Sequence, residues 1–376
     1  MQKGNPRIVF AAGGTGGHLF PAISIAEEIK KIDSAAEFLF VGTRGKIEER
    51  IVPEHGYPLR TIWISGVARS FHARNFLVPV KIIVSLMQSL SLIRNFHPHV
   101  VVGTGGYVTG PVLFAASLLG IPTVIQEQNV SPGLTNRLLA RWAKMAYLAF
   151  EASAAHFPTD ITKVTGNPIR RTIGSVERES ATYEQFGLHP ELKTIFVMGG
   201  SQGAQAINRM VVDALKDLEP FHQQLQIIHQ TGKADYKEVK EHYRSSPLKH
   251  VVQPYFDPIE VVYSLADLMV CRAGGMTISE ITACGIPAIF IPLPTAAGDH
   301  QRLNAQAVAD RGAGIVLGQA TLTGAVLAEQ VVQIITHPST LQRMADASRQ
   351  LGKPHAGEEI AKSIYALVKR NALEKV

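Results

Sequence analysis

The sequence predicts an α/β protein built from two doubly wound, Rossmann-like parallel-sheet domains facing an interdomain cleft. At 376 residues the chain is too long for one ordinary core and fits two. Hydrophobic residues make up 46% and charged residues 18%, which excludes disorder and favours buried sheet over solvated helical bundles. Short β-branched runs also alternate with helical segments, and that rhythm restarts midway along the chain.

Taken in order, Ile8 to Ala12, Phe38 to Gly42, Val100 to Val102, Thr123 to Ile125 and Lys144 to Phe150 read as the strands of a first domain. The uncharged stretch from Val100 to Ile125 is long enough to span a membrane. Gly103, Gly105, Gly106, Gly110, Pro111, Gly120 and Pro122 interrupt it, so it reads as strand, glycine loop, helix and strand. After Val164-Thr165-Gly166-Asn167-Pro168 the pattern begins again. Thr194 to Met198, Leu225 to Gln230, Val251 to Gln253, Leu268 to Cys271 and Ala288 to Ile291 are the strands of a second domain. These runs place the first domain at 1–165, the second at 166–345 and a last piece at 346–376. In that piece Gly357 to Lys369 is amphipathic and helical, and is expected to pack back on the first domain. Each half runs a strand into a Gly-Gly loop, but no fixed period marks a repeat array.

Met1 to Arg7 leads straight into Ile8-Val9-Phe10 with no apolar signal region, which predicts a protein that stays inside the cell. Cys271 and Cys284 are too few for a disulfide framework and lack C-x-x-C spacing, so a reduced compartment and no structural zinc are expected. A net charge of +6 and a pI near 9.2 favour anionic partners, whether nucleotide phosphates, nucleic acid or an acidic membrane face.

Three strands run into glycine-rich turns: Gly13-Gly14-Thr15-Gly16-Gly17-His18, Gly103-Thr104-Gly105-Gly106-Tyr107 and Gly199-Gly200-Ser201-Gln202-Gly203. Such loops let backbone approach a ligand closely, and the N–H groups of the following helix attract an anion, a diphosphate being the natural occupant. Each glycine run taken alone is equally suited to a plain tight turn. Leu19 and Val108 occupy the third glycine's place of G-x-G-x-x-G, and no G-K-[ST] follows any loop, which disfavours a dinucleotide or ATP site. Neither H-E-x-x-H nor D-x-D occurs, so a metal-chelated nucleotide sugar is also disfavoured. No RNA- or DNA-binding motif accompanies the basic pI, and nucleic acid is not an expected partner.

The second half holds the densest polar cluster: Cys271-Arg272-Ala273-Gly274-Gly275-Met276-Thr277-Ile278-Ser279-Glu280, then Gly298-Asp299-His300-Gln301-Arg302-Leu303-Asn304. Gly274 and Gly275 open a helix whose N-terminus suits phosphate. Glu280, about one and a half turns along, is placed to accept two ribose hydroxyls or, alternatively, to be a solvated helix residue.

At these residues the chain resembles the MurG family of N-acetylglucosaminyltransferases. The resemblance spans nearly the whole chain and rests on Gly13 to Ala22, Gly105-Gly106-Tyr107-Val108, Glu127-Gln128-Asn129, Gly166 to Arg170, Gly200 to Ala204 and Arg272 to Glu280, in the family's order and approximate spacing. It implies a GT-B fold and inverting transfer of GlcNAc from UDP-GlcNAc to undecaprenyl-pyrophosphoryl-MurNAc-pentapeptide, lipid I to lipid II, in peptidoglycan synthesis. No cofactor and no required metal are implied, and the protein is expected to be peripheral on the cytoplasmic face of the membrane. By matching position, the donor would meet Thr15, Gly16, Gly17, Asn129, Arg170, Ser201, the backbone near Tyr255 and Phe256, Arg272, Gly275, Met276, Thr277, Glu280, His300, Gln301 and Asn304. The acceptor diphosphate would meet Gly14, Gly105, Gly106 and Tyr107. Two departures stand out: Gln126 where the family often has His, and His300 where it often has Gln. They leave open any acid–base role at the first position and the sugar contacts at the second.

Direct displacement needs a base, and His18, at the mouth of the first loop, is the first candidate. Its alternatives are a ring that merely orders the acceptor diphosphate, with Glu127 as the base. Between Arg69 and Arg94, apolar residues including Phe76, Leu77, Val80 and Val84 mix with basic ones such as Lys81. That pattern suits a helix lying in an anionic lipid surface, and equally an amphipathic helix facing a core; the resemblance favours lipid. The competing function is another GT-B glycosyltransferase acting on a diacylglycerol, a sterol or a natural product.

Overall fold

The computed structural model describes residues 5–65 and 78–374, with side chains through Asn371. The chain divides into two compact units, Met1–Arg170 joined by His355–Val376, and Arg171–Pro354. Unit 1 carries strands β1 (Arg7–Ala12), β2 (Glu37–Thr43), β3 (Leu59–Ile62), β4 (Val100–Gly105), β5 (Thr123–Glu127), β6 (Met145–Leu148) and β7 (Thr162–Val164). Its helices are α1 (Gly16–Ile32), α2 (Glu48–Glu54), α3 (Val78–Phe96), α4 (Thr109–Leu118) and α5 (Leu134–Leu139). The seven strands are parallel in the order β3-β2-β1-β4-β5-β6-β7.

Both faces of this sheet are covered, which is why its central strands read as unbroken apolar runs. Side chains alternate across a strand, so Ile8, Phe10 and Ala12 of β1 join Leu19, Ile25 and Ile29 of α1 on one face. Val9 and Ala11 pack on the other with Ile93 of α3, Val112 and Leu113 of α4 and Leu139 of α5. Phe10 and Phe40 stack with ring centroids 5.1 Å apart.

Unit 2 holds α6 (Ser180–Gln185), β8 (Lys193–Met198), α7 (Gln205–Leu218), β9 (Leu225–Gln230), α8 (Tyr236–Tyr243), β10 (His250–Gln253), α9 (Ile259–Leu265) and β11 (Leu268–Cys271). It continues through α10 (Gly275–Ala283), β12 (Ala288–Phe290), α11 (His300–Ala309), β13 (Gly314–Val316), α12 (Gly324–Ile335) and α13 (Pro338–Leu351). Its strands are parallel in the order β10-β9-β8-β11-β12-β13. Thr323 caps α12 by accepting the Val326 N–H at 3.3 Å.

The chain then returns to unit 1 as α14 (Ala356–Glu374). Ile360, Ala361, Ile364 and Val368 fall on one helical face and join the α1 side of the unit 1 core. Tyr147 donates to Ser363 Oγ at 2.6 Å and Tyr365 to Asp33 at 2.7 Å, fastening the middle of the helix to β6 and to the end of α1. The unit bounds differ by a few residues from those read in sequence. Residues 166–170 stay with unit 1, where Ser24 Oγ donates to the Ile169 carbonyl at 2.7 Å, and α13 carries unit 2 past residue 346. Strands β3, β7 and β13 were not expected. Each is three or four residues long at a sheet edge, too brief for alternation to show.

Candidate functional site

In each sheet the strand order reverses once, between β1 and β4 in unit 1 and between β8 and β11 in unit 2. Ligands of open parallel sheets bind beyond the carboxyl ends of strands at that reversal. The glycine loops occupy these positions. Gly13 to His18 follows β1, Gly105 ends β4 and Gly106-Tyr107 follow it, Gly199 to Gly203 follows β8 and Gly274-Gly275 follows β11.

In unit 1 the two loops interlock so closely that glycine is required at two positions. Gly106 has φ +84°, and a Cβ there would fall on the Gly13 carbonyl; Gly105 has φ +113°, and a Cβ there would fall on the His18 ring. Glu48, fully buried at the start of α2, braces the first loop. It accepts the Gly14 N–H at 3.2 Å and Thr43 N–H and Oγ1–H at 2.9 and 2.7 Å. This changes the expectation for Gly14: its amide is taken by a carboxylate and is not left for an acceptor diphosphate.

His18 sits half-buried with Nδ1 3.2 Å from the Thr104 carbonyl and 3.1 Å from Gln128 Oε1. Thr104 Oγ1 donates to the His18 carbonyl at 2.7 Å, tying β4 to the start of α1. Among the described residues the structure gives Nε2 no protein partner. Glu127, the alternative base, is buried at the end of β5 and already serves its own loop. It accepts from Asn129 N–H at 3.1 Å, Gly133 N–H at 3.2 Å and Asn136 Nδ2 at 2.8 Å. Those three bonds make it a brace for the loop after β5. Of the remaining unit 1 candidates, Thr15, Gly17 and Tyr107 are exposed, Gly16 and Asn129 are half-buried, and the Arg170 guanidinium lies 5.9 Å from the Phe20 ring centre.

In unit 2, Gly203 (φ +77°) and Gly232 (φ +77°) allow the turns after β8 and β9 to touch backbone to backbone, since a Cβ on either would strike the other turn. Gln230, buried at the end of β9, joins two loops: Nε2 donates to the Gly200 carbonyl at 3.3 Å and Oε1 accepts the Phe256 N–H at 2.9 Å. The Phe256 ring packs inward against Phe186 and Phe196, whereas Tyr255 is 48% exposed and is the ring open to a ligand.

Gly275 is the first residue of α10, with Met276 and Thr277 half-buried in its first turn. One helix further into the chain, His300, Gln301 and Asn304 share the start of α11. Asn304 Nδ2 donates to the Ala273 carbonyl at 3.2 Å, and Gln301 Oε1 accepts the Leu293 N–H at 3.0 Å. His300 Nδ1 bonds the Ala297 carbonyl at 2.7 Å. Arg272, 9% exposed, donates from Nη1 to the Ile291 and Pro292 carbonyls at 2.9 and 3.1 Å, and burial lowers its pKa. It thereby clamps the loop after β12. Glu280 accepts from the buried Tyr263 hydroxyl at 3.0 Å; burial and then the Glu280 charge push that phenol well above its usual pKa. Ser201 stands exposed on its loop.

Glu48, Gln230 and Tyr263 were not singled out in the sequence. The one available signal was position: Gln230, like Glu127, is a polar residue at the carboxyl end of a strand otherwise built of apolar residues.

A cavity of about 640 Å³ in unit 2 is lined by Arg178, Lys193, Tyr263, Asp267, Cys284 and Arg349 among others. Lys193, Asp267 and Pro287 precede or begin β8, β11 and β12, so this cavity opens at the amino ends of the strands, opposite the glycine loops. It holds none of the donor candidates. Burial pushes the Cys284 thiol up to about 12, which removes it as a nucleophile. Among the described residues no group of three or more His, Cys, Asp or Glu could hold a metal ion. None of their helices is long and apolar enough to cross a membrane.

Of the membrane candidates, Phe76 and Leu77 lie outside the described residues. Helix α3 turns Val80, Ile82, Ile83 and Met87 to solvent and buries Ser85 and Ser89. The two serines satisfy themselves on the Ile82 and Ser85 carbonyls at 2.9 and 2.7 Å. Val84 is half-buried, and Lys81 lies over the exposed Trp63 ring, 5.6 Å from its centre.

Residues 8–148 match the glycosyltransferase family 28 N-terminal domain and residues 194–362 the glycosyltransferase family 28 C-terminal domain. A UDP-N-acetylglucosamine–N-acetylmuramyl-(pentapeptide) pyrophosphoryl-undecaprenol N-acetylglucosamine transferase of Myxococcus xanthus is 40% identical over 360 residues, covering 94% of this chain and 91% of the relative. The protein of the same description from Syntrophotalea carbinolica is 43% identical over 356 residues, 94% of this chain and 97% of its own. Among solved structures, Acinetobacter baumannii MurG superposes with a TM-score of 0.77 at 32% identity, covering 96% of this chain and all of that one. A UDP-GlcNAc 2-epimerase from Neisseria meningitidis bound to UDP-GlcNAc gives 0.68 at 14% identity over 96% of this chain and 100% of that one, a likeness of fold alone.

Proposed function

Since the chain belongs to the MurG family within glycosyltransferase family 28, we propose that it transfers GlcNAc from UDP-GlcNAc to undecaprenyl-pyrophosphoryl-MurNAc-pentapeptide, with inversion at the anomeric carbon. This is the step from lipid I to lipid II in peptidoglycan synthesis. The observation that carries the reading is the difference between the two sheet reversals. In unit 2, a phosphate-ready helix start at Gly275 lies on the same helix as Glu280, whose carboxylate is steadied by Tyr263. That arrangement suits a nucleoside diphosphate. In unit 1, glycine loops surround a histidine whose Nε2 has no protein partner among the described residues, which suits an acceptor that must lose a proton.

In the proposed reaction His18 Nε2 takes the proton of the acceptor hydroxyl as its oxygen bonds to the anomeric carbon. The bond from that carbon to UDP breaks, and UDP leaves with the electron pair. Helix N-termini and basic side chains, Arg170 among them, stabilise the departing charge, and no metal ion or cofactor is needed. The apolar outer face of α3 rests on the anionic cytoplasmic surface of the membrane, where the lipid acceptor is anchored. From Val80 to Ser89, Ser85 and Ser89 face inward while Val80, Ile82, Ile83 and Met87 face out, and this supports lipid contact over the core-facing alternative, although Ile93 near the end of the helix packs into the core.

Calorimetric titration tests the class of ligand. UDP-GlcNAc binds, and NAD and an oligonucleotide do not. Binding of NAD or nucleic acid without UDP-GlcNAc would overturn the reading.

A further inference from the structure

We infer that Gln128, held in turn by Gln126 and Asn167, is a positioning residue that fixes the tautomer and orientation of the His18 ring; the inference rests on the reading of His18 as the base. Backbone carbonyls accept and never donate, so they set the direction of any amide that meets them. Gln128 Nε2 lies 2.7 Å from the Thr104 carbonyl and 3.2 Å from the Gln126 carbonyl, which identifies its NH₂ end. Its Oε1 is then the atom turned toward His18 Nδ1, at 3.1 Å. The other neighbour of Nδ1 is the Thr104 carbonyl at 3.2 Å, again an acceptor. In the neutral ring the hydrogen must therefore sit on Nδ1, and Nε2 carries the lone pair a base requires.

The rest of the chain of amides runs in the same direction. Gln128 Nε2 also donates to Gln126 Oε1, Gln126 Nε2 donates to Asn167 Oδ1 at 2.8 Å, and Asn167 Nδ2 donates to the Gln128 carbonyl at 3.2 Å. Gln126, Gln128 and Asn167 are all at least 97% buried, so water does not compete for these bonds. Reversing Gln126 or Asn167 would set like against like at both ends of the amide. A flipped Gln128 would offer NH₂ to Nδ1 and move the hydrogen to Nε2.

Charged groups on the elements around His18 are engaged elsewhere. Glu48 is bonded by Gly14 and Thr43, Glu127 by Asn129, Gly133 and Asn136, and Arg170 lies over the Phe20 ring. A neutral amide thus takes the place behind the imidazole that a carboxylate fills in serine-protease triads. It orients the ring without adding a charge.

The test uses ¹⁵N-histidine-labelled full-length protein above pH 8, with the His18 signals identified by their loss in His18→Ala. The wild-type ring is expected to be protonated at Nδ1. In Gln128→Leu and Gln126→Leu, the His18 spectrum moves toward the Nε2-protonated form. In both variants kcat falls about ten- to a hundredfold, the usual effect of losing a partner that orients a histidine. UDP-GlcNAc affinity stays within about twofold, because no donor candidate in unit 2 is altered. A wild-type ring protonated at Nε2, a leucine variant that keeps kcat, or one that loses kcat with its His18 spectrum unchanged would each overturn the inference. If the leucine variants do not fold, the wild-type spectrum decides alone. His18→Ala separates the two claims. It should lower kcat by about 10²–10⁴-fold, and an unchanged kcat would sink the base while leaving the tautomer result standing.

Discussion

Glu280 illustrates how a single side chain acquires a role from its surroundings. An acidic residue on a helix is ordinarily solvated, yet here one carboxylate oxygen accepts the buried Tyr263 hydroxyl, which restricts the carboxylate's orientation. In the proposed complex it accepts two ribose hydroxyls. Glu280→Ala should weaken UDP binding by roughly 1–3 kcal/mol, about one to two decades in affinity, read by calorimetry on a folded variant. Unchanged affinity would remove Glu280 from the donor site. At this scale the glycine loops were legible because positive φ and strand ends leave marks in sequence. The residues that brace them were not. Glu48 reaches Gly14 across 34 residues, Gln230 reaches Phe256 across 26 and Tyr263 reaches Glu280 across 17, and no local pattern records such pairings.

Among the elements, α3 departs furthest from the usual arrangement. A helix covering a sheet normally turns its apolar stripe inward, but α3 buries Ser85 and Ser89 while Ile83 and Met87 are 60% and 65% exposed. Sequence showed the apolar excess; only the fold shows which way it faces. Ile83→Asp with Met87→Asp should reduce sedimentation with anionic vesicles at least tenfold, with the fold unchanged, because both positions already face water and each charge opposes lipid insertion. Undiminished vesicle binding would mean that α3 is not the contact.

Helix α8 and strand β9 supply a second test. His229 is fully buried, with Nδ1 3.1 Å from the Tyr243 hydroxyl and Nε2 3.1 Å from Asn208 Oδ1, and burial pushes its pKa down to about 3. Between that value and the ordinary 6.5, the unfolded chain binds a proton that the folded chain refuses. Stability from this group is complete above pH 6.5 and declines as pH falls toward 3, by about 1.4 kcal/mol per unit. Urea unfolding should show wild type losing about 2 kcal/mol more than His229→Gln between pH 7 and pH 5. Equal losses would contradict the assignment.

For the whole molecule, two sheets with one order reversal each were readable from the spacing of β-branched runs and glycine turns. Core strands are buried on both faces and so are apolar throughout, whereas the edge strands β3, β7 and β13 carry too few residues to declare themselves. The return of α14 to unit 1 was legible as an amphipathic segment, but the exact crossing at Arg170 and His355 depends on contacts distant in sequence. In the proposed reaction, backbone dipoles and basic side chains, not a metal ion, neutralise the leaving diphosphate. Transfer activity should persist in EDTA, and a complete loss restored by magnesium or manganese would show that a metal does this instead.

The acceptor is identified by incubating the purified protein with labelled UDP-GlcNAc and, in parallel, undecaprenyl-pyrophosphoryl-MurNAc-pentapeptide, a diacylglycerol and a sterol. Label is expected in the lipid-linked MurNAc fraction, with UDP released in equal amount and a β-linked product from the α-linked donor. Label entering the diacylglycerol or the sterol while the MurNAc lipid stays unlabelled would contradict the proposed transfer.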